Sequence, residues 1–330
     1  MDQELDDSDH EFGVTVPPLV TYLKKILRDY SDGQIFKEIL QNAEDAGAKR
    51  VKFLYDVRQY GTQTLFSESL AQYQGPALYA YNDAKFKPKD WAGIQKPARS
   101  NKEKDPLKVG RFGIGFNSVY HITDLPSIMS DRRIAYLDPL AKHFRNIDRL
   151  PQTGFRFHLQ SSEDQNTFRA CKDQFRPYRQ IFDDVEDGLC DGQFDGTLFR
   201  FPLRETESEL SNKVYTDEKK MDDLLDAFLV DADVVMLFLR SLKEVEVMKR
   251  PADQSSRFIV RVKANVTFNE ELPIEQDHFT QQLVEYCSRS MADREDLHMS
   301  YDVKICSEKV EGSKTTRWIV CHHIAGGGMS

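Results

Sequence analysis

Glu38, Asn42 and Asp45 stand at i, i+4 and i+7 in the run Lys37-Glu38-Ile39-Leu40-Gln41-Asn42-Ala43-Glu44-Asp45-Ala46-Gly47. In a helix that spacing puts two carboxylates and an amide on one face. Ile35, Phe36, Ile39, Leu40 and Ala43 then make the buried face. A carboxylate and an amide oxygen one turn apart are hard donors suited to Mg²⁺ and its waters. A carboxylate there can also orient an attacking water. Most polar helix faces are simply solvated, so the spacing alone does not decide between these readings. A second chemical element is Gly110-Arg111-Phe112-Gly113-Ile114-Gly115-Phe116. Its glycines let backbone N–H groups approach an anion, and entry into a helix adds a positive dipole end. The sharp reading is a phosphate cradle; the plain one is a tight turn between packed elements. Arg99, Lys102, Lys104 and Lys108 precede it; they can close over phosphates or merely keep a loop solvated.

Elements around these residues are readable from periodicity. Leu19, Leu23, Ile26, Leu27 and Tyr30 follow Pro17-Pro18 at helical spacing. A second helix is predicted over 34–46, with Gly47 as its stop. Strands are predicted at 51–57, 77–81, 133–137, 154–159 and 197–203, with a short helix from Pro88 and another at 117–122. Residues 96–109 read as a mobile loop and 160–190 as a long irregular stretch. Two amphipathic helices are expected over 218–242. Strands near 243–248, 257–262, 301–306 and 316–321 and a helix near 277–291 follow. Helices and strands in mixed order favour an α+β fold over a doubly wound sheet. The expected division is an acidic, disordered lead at 1–11, a main domain at 12–205 and an α+β extension at 206–330, frayed at its last five residues.

Composition narrows the partners. The 330 residues carry a net charge of −9, which lacks the electrostatic footprint of a nucleic-acid binder. Five cysteines without a C-x-x-C pair argue against a zinc site or a disulfide framework and suit a reducing compartment. No stretch approaches the length of a membrane helix, and the acidic start is not a signal peptide. The expectation is a cytoplasmic chain with neither nucleic acid nor membrane as partner.

Taken together, Glu-x-x-x-Asn-Ala-x-Asp-Ala at 38–46, the glycine segment at 110–116 and Gly196-Thr197 resemble the GHKL ATPases, the superfamily of DNA gyrase B, the ninety-kilodalton heat-shock chaperones, histidine kinases and MutL. Val16-Pro17-Pro18-Leu19-Val20, residues 41–48, Tyr73-Gln74-Gly75-Pro76-Ala77-Leu78, residues 109–124, Leu137-Asp138-Pro139 and Phe199-Arg200-Phe201-Pro202-Leu203-Arg204 narrow the likeness. They resemble the heat-shock-chaperone-like domain of sacsin-family repeats, over residues 12–262.

That resemblance implies a Bergerat fold, a mixed and mostly antiparallel sheet with helices on one face and ATP held between helices and a lid. It implies Glu38 as the residue that activates water, Asn42 as the Mg²⁺ ligand, and Asp45 and Lys49 near the nucleotide. Gly110, Gly113, Ile114, Gly115 and Phe116 match the lid hinge and phosphate box, with Arg99 in the lid, and Thr197 the strand threonine beside adenine. The family's second box, Asp-x-Gly-x-Gly, is replaced here by Tyr81-Asn82-Asp83-Ala84-Lys85-Phe86, and whether Asn82 or Asp83 takes the adenine-reading place stays open. The implied activity is chaperone-type ATP binding with slow hydrolysis to ADP and phosphate, acting on client proteins or with co-chaperones. The alternative is an interaction or scaffold module that binds nucleotide weakly or not at all.

Overall fold

Val51, Phe53 and Tyr55 alternate with Lys52, Leu54 and Asp56, and all six are buried. A strand covered on both sides belongs in the middle of a sheet with material on each face. The structure is a computed structural model that describes residues 18–95, 115–146, 148–237, 239–252, 259–268, 272–289, 296–309 and 312–324. The acidic lead, the 96–109 loop and the last five residues lie outside the described residues. Strands are β1 (Arg50–Asp56), β2 (Ala77–Asn82), β3 (Ser127–Asp131), β4 (Arg133–Leu137), β5 (Phe144–Arg145), β6 (Pro151–Gln152), β7 (Gly154–His158), β8 (Phe194–Pro202), β9 (Glu244–Arg250), β10 (Ile259–Phe268), β11 (Leu297–Lys309) and β12 (Gly312–Ile324). Helices are α1 (Leu19–Asp29), α2 (Ile35–Ala46), α3 (Pro88–Ile94), α4 (Ser162–Ala170), α5 (Lys172–Phe175), α6 (Gly188–Asp191), α7 (Glu218–Met236) and α8 (Leu272–Ser288).

Ten strands form one sheet in the order β12-β11-β10-β9-β1-β2-β8-β3-β4-β7, and β5 and β6 pair separately. The fold is α+β and the large sheet is mixed: β1 runs parallel to β9, and the other neighbours are antiparallel. The sheet is continuous across the division expected after residue 205, since β9 pairs with β1.

One face carries α1, α2 and α7. Phe36 of α2, Phe53 of β1 and Phe228 of α7 meet with ring centroids 5.1–5.6 Å apart, a geometry that adds to their area burial. Helices on one face alone were expected, and here the structure differs. Leu54, Tyr79, Tyr81, Met129, Ile134, Tyr136 and Phe157 point to the opposite face. Such a surface cannot stay in water. Phe168 of α4, Phe175 of α5, Tyr178, Ile181, Phe182 and Leu189 of α6 cover it, so the stretch expected to be irregular is a second layer of short helices.

Other differences are local. Residues 218–236 are one helix rather than two, because Asp231-Ala232-Asp233 contains neither glycine nor proline to break it. The helix expected at 117–122 is a 3₁₀ helix over Gly115–His121. Arg204 donates to the carbonyls of Tyr120, His121 and Thr123 at 2.8–3.2 Å, so those acceptors are not free to continue an α-helix. β3 was not expected at all: Ser127-Ile128-Met129-Ser130 does not alternate.

Gly47 ends α2 in the left-handed conformation, φ 81°, and its N–H returns to the helix. Glu44, one turn earlier, accepts the backbone N–H groups of Arg240, Ser241 and Leu242 at 2.8–3.0 Å. That carboxylate ties α2 to the turn between α7 and β9. Glu44→Ala is expected to cost about 2–3 kcal/mol in urea unfolding, as charge-assisted bonds to otherwise unmet donors are lost. Amide exchange should accelerate at 240–242 first.

Candidate functional site

Side-chain alternation aligns a row across the sheet on the α2 face. Val51 pairs with Asn82, Asn82 with Thr197, Thr197 with Ser130 and Ser130 with Arg133. The sequence-predicted Asn82 and Thr197 are therefore cross-strand neighbours, brought together although 115 positions apart in numbering. Gly196 has φ 104°, and a Cβ there would run into the Asn82 carbonyl and the Tyr81 ring. The Gly-Thr pair thus has a steric reason: glycine lets β8 close onto β2 where threonine enters the row.

The threonine is already engaged. Its hydroxyl donates to the Ala84 carbonyl at 2.7 Å and lies 2.9 Å from Ser130 Oγ. Ser130 also lies 2.7 Å from the Gly196 carbonyl and accepts Phe86 N–H at 2.9 Å. Asn82 Oδ1 accepts the N–H of Ala84 at 3.1 Å. Asp83 turns elsewhere. Its carboxylate accepts the backbone N–H groups of Lys49 at 2.7 Å and Arg50 at 3.2 Å, and Arg50 Nε lies 3.6 Å away. Asp83 thereby fastens the end of β2 to the turn that follows α2, whereas Asn82 stays buried in the row. Ser130 was missed by sequence reasoning, because nothing in a Ser-Ile-Met-Ser run marks one serine as a neighbour of Thr197.

On α2, Glu38, Asn42 and Asp45 are half-buried, and Lys49 beyond the helix is exposed. The carboxylate of Glu38 lies against Gly115, so closely that a Cβ at 115 would clash with Oε2. The water-activating candidate and the last glycine of the glycine segment are therefore in contact. Phe116 turns inward, its ring 5.7 Å from Phe199 and 6.4 Å from Phe201. Ser118 Oγ donates to the Gly115 carbonyl at 2.7 Å, fixing the first turn. At the far end of this 3₁₀ helix, His121 Nε2 sits 2.7 Å from the Tyr30 carbonyl of the segment after α1, and burial pushes its pKa below the usual histidine value. Arg99, Gly110, Gly113 and Ile114 lie outside the described residues.

These donors fit magnesium in one specific way. Among the described residues no three His, Cys, Asp and Glu side chains gather as a metal site. Asn42 offers an amide oxygen, with Glu38 and Asp45 on the same helix. One or two protein oxygens, with phosphate oxygens and waters completing the shell, is how Mg²⁺ is ordinarily held. No helix among the described residues is long and apolar enough to cross a membrane.

Comparison with known proteins gives the affiliation. A protein of known structure, the N-terminal domain of a DNA repair protein, aligns over 75% of this chain and 56% of its own, at 9% identity and a TM-score of 0.34; at that score it carries no argument. Human Sacsin is 44% identical over 324 residues, which is 97% of this chain and 7% of that protein. The Sacsin domain pattern matches residues 16–259, from just before α1 into β10, so the chain belongs to the sacsin domain family.

Proposed function

We propose that this chain is an ATP-binding module of chaperone type, with nucleotide seated between α2 and the Asn82–Thr197 row. The observation that carries the reading is the contact of Glu38 with Gly115, which joins the hydrolytic candidate to the phosphate-binding candidate. In this reading Asn82, rather than Asp83, reads the adenine edge, because the Asp83 carboxylate is taken by Lys49 and Arg50 N–H. Thr197 and Ser130 hold the 84–86 backbone in place behind it. Glu38 orients the attacking water and accepts its proton. Magnesium, when bound, neutralises phosphate charge, with Asn42 as its protein ligand. Client proteins or neighbouring modules then respond to the bound nucleotide.

A second reading, an interaction module with little nucleotide affinity, is favoured by one observation: the Thr197 hydroxyl and the Asp83 carboxylate already have internal partners. Titration calorimetry with Mg-ATP separates the two. The expected dissociation constant is about 0.1–1 mM, since an amide replaces a charged acceptor and every ~1.4 kcal/mol is tenfold. Asn42→Ala and EDTA should each weaken it. An absence of heat at millimolar nucleotide selects the interaction module, and an affinity untouched by both Asn42→Ala and EDTA removes the metal assignment.

A further inference from the structure

On the opposite face of the sheet, strand pairing aligns Leu54, Tyr79, Arg200, Ser127 and Tyr136. Arg200 is 2% exposed. Its hydrogen bonds among the described residues go only to neutral acceptors, the Tyr79 hydroxyl at 3.0 Å and the Gly75 carbonyl at 3.2 Å. A guanidinium keeps its proton even when buried, and a desolvated charge needs an opposite one. No carboxylate among the described residues pairs with it, and the Tyr79 ring face, its centroid 5.8 Å from the guanidinium carbon, carries no net charge. Burial pushes the Tyr79 phenol up to about 12, so at neutral pH it carries no charge. The buried carboxylate in the next row, Asp56, is matched by Arg58, which donates to it at 2.7 and 2.8 Å, and it also takes the Tyr60 hydroxyl at 2.7 Å.

The neighbouring groups are equally unmet. Gln74, next to Gly75 and 1% exposed, has no partner for either amide atom. The Tyr136 hydroxyl and Gln174 Oε1, each in a residue 3% exposed, make no hydrogen bond of good geometry, although the Tyr178 and Gln174 side chains stand beside that hydroxyl. Tyr178, whose hydroxyl lies 2.7 Å from Ser127 Oγ, stands over the same row. Arg200, Gln74 and Tyr136 all hold N–H or O–H groups to donate. A buried, donor-rich cluster with an unmatched positive charge calls for an anion; water would satisfy the dipoles and leave the charge unmet.

We propose that Arg200, Gln74 and the Tyr136 hydroxyl form an interior site for a small monovalent inorganic anion, chloride in the cell, on the face of the sheet away from α2. The anion is a structural counter-ion that holds the α5–Tyr178 layer on the sheet. It is independent of the nucleotide reading, since Arg200 and Tyr136 lie on the face away from α2.

The test compares thermal unfolding of the full chain in sodium chloride and sodium gluconate at equal ionic strength. Chloride should raise the midpoint by roughly 2–4 °C at ~0.15 M, saturably. Arg200→Gln carries the same general salt effects and should lose this difference. Gln74→Leu should reduce it and serves if Arg200→Gln does not fold. Crystals of the unmodified chain grown with bromide should show an anomalous peak beside the Arg200 guanidinium. Equal midpoints in the two salts, or water or closed packing at Arg200 without an anomalous peak, would overturn the proposal.

Discussion

Replacing Glu38 by glutamine is expected to lower ATP turnover by about 10²–10⁴-fold, the usual worth of a positioned general base. Nucleotide binding should change by less than about twofold, because a group that acts only on water contributes to the transition state rather than to the ground state. Glutamine keeps the shape that lies against Gly115, so a structural effect stays small. Turnover is read by phosphate release at saturating Mg-ATP and binding by calorimetry. A parallel loss of both assigns Glu38 to ligand binding; undiminished turnover removes it from the chemistry.

Arg204→Met is expected to destabilise the fold by about 3–5 kcal/mol, because it leaves the buried Asp124 carboxylate without its cation. Arg204 is 3% exposed. It pairs with Asp124 through both Nε and Nη2 and donates to the carbonyls of Tyr120, His121, Thr123 and Lys213. The Tyr120, His121 and Thr123 carbonyls lie at the negative end of the 3₁₀ helix that begins at Gly115, where a cation is also favoured by the helix dipole. Urea unfolding monitored by circular dichroism measures the loss. Combining Arg204→Met with Asp124→Leu should recover a large part of it, since the orphaned charge is then removed. A double variant no more stable than the single one would place the energy in the carbonyl contacts instead.

Local signals were legible where a single residue type decides a conformation. Gly47 ended α2 where expected, and the period of Ile35, Phe36, Ile39, Leu40 and Ala43 marked its buried face. β1, with its alternating Val51, Phe53 and Tyr55, and β2, β4, β7 and β8 formed where strands were expected. What escaped depends on partners distant in sequence. The helical layer over the second face answers an apolar surface assembled from β1, β2, β3, β4 and β7 together, and no window of sequence contains it. The Asn82–Asp83 ambiguity was local in composition, yet the commitment of Asp83 is made by N–H groups at residues 49 and 50. Ser130 joins the Thr197 row only through strand order. Arg204 read as one more residue of a familiar run until its partners at 120–124 were seen.

The parallel pairing of β1 with β9 also bears on how the polypeptide is made. During synthesis β1 leaves the ribosome nearly two hundred residues before its partner at 244–250. Until then one rim of β1 presents unpaired N–H and C=O groups beside Val51, Phe53 and Leu54, the combination that recruits foreign strands. Phe36 and Phe53 likewise wait for Phe228. The nascent stretch up to 205 is thus an open-edged intermediate of the kind that aggregates, and a polypeptide cut between β8 and β9 keeps that bare rim for good.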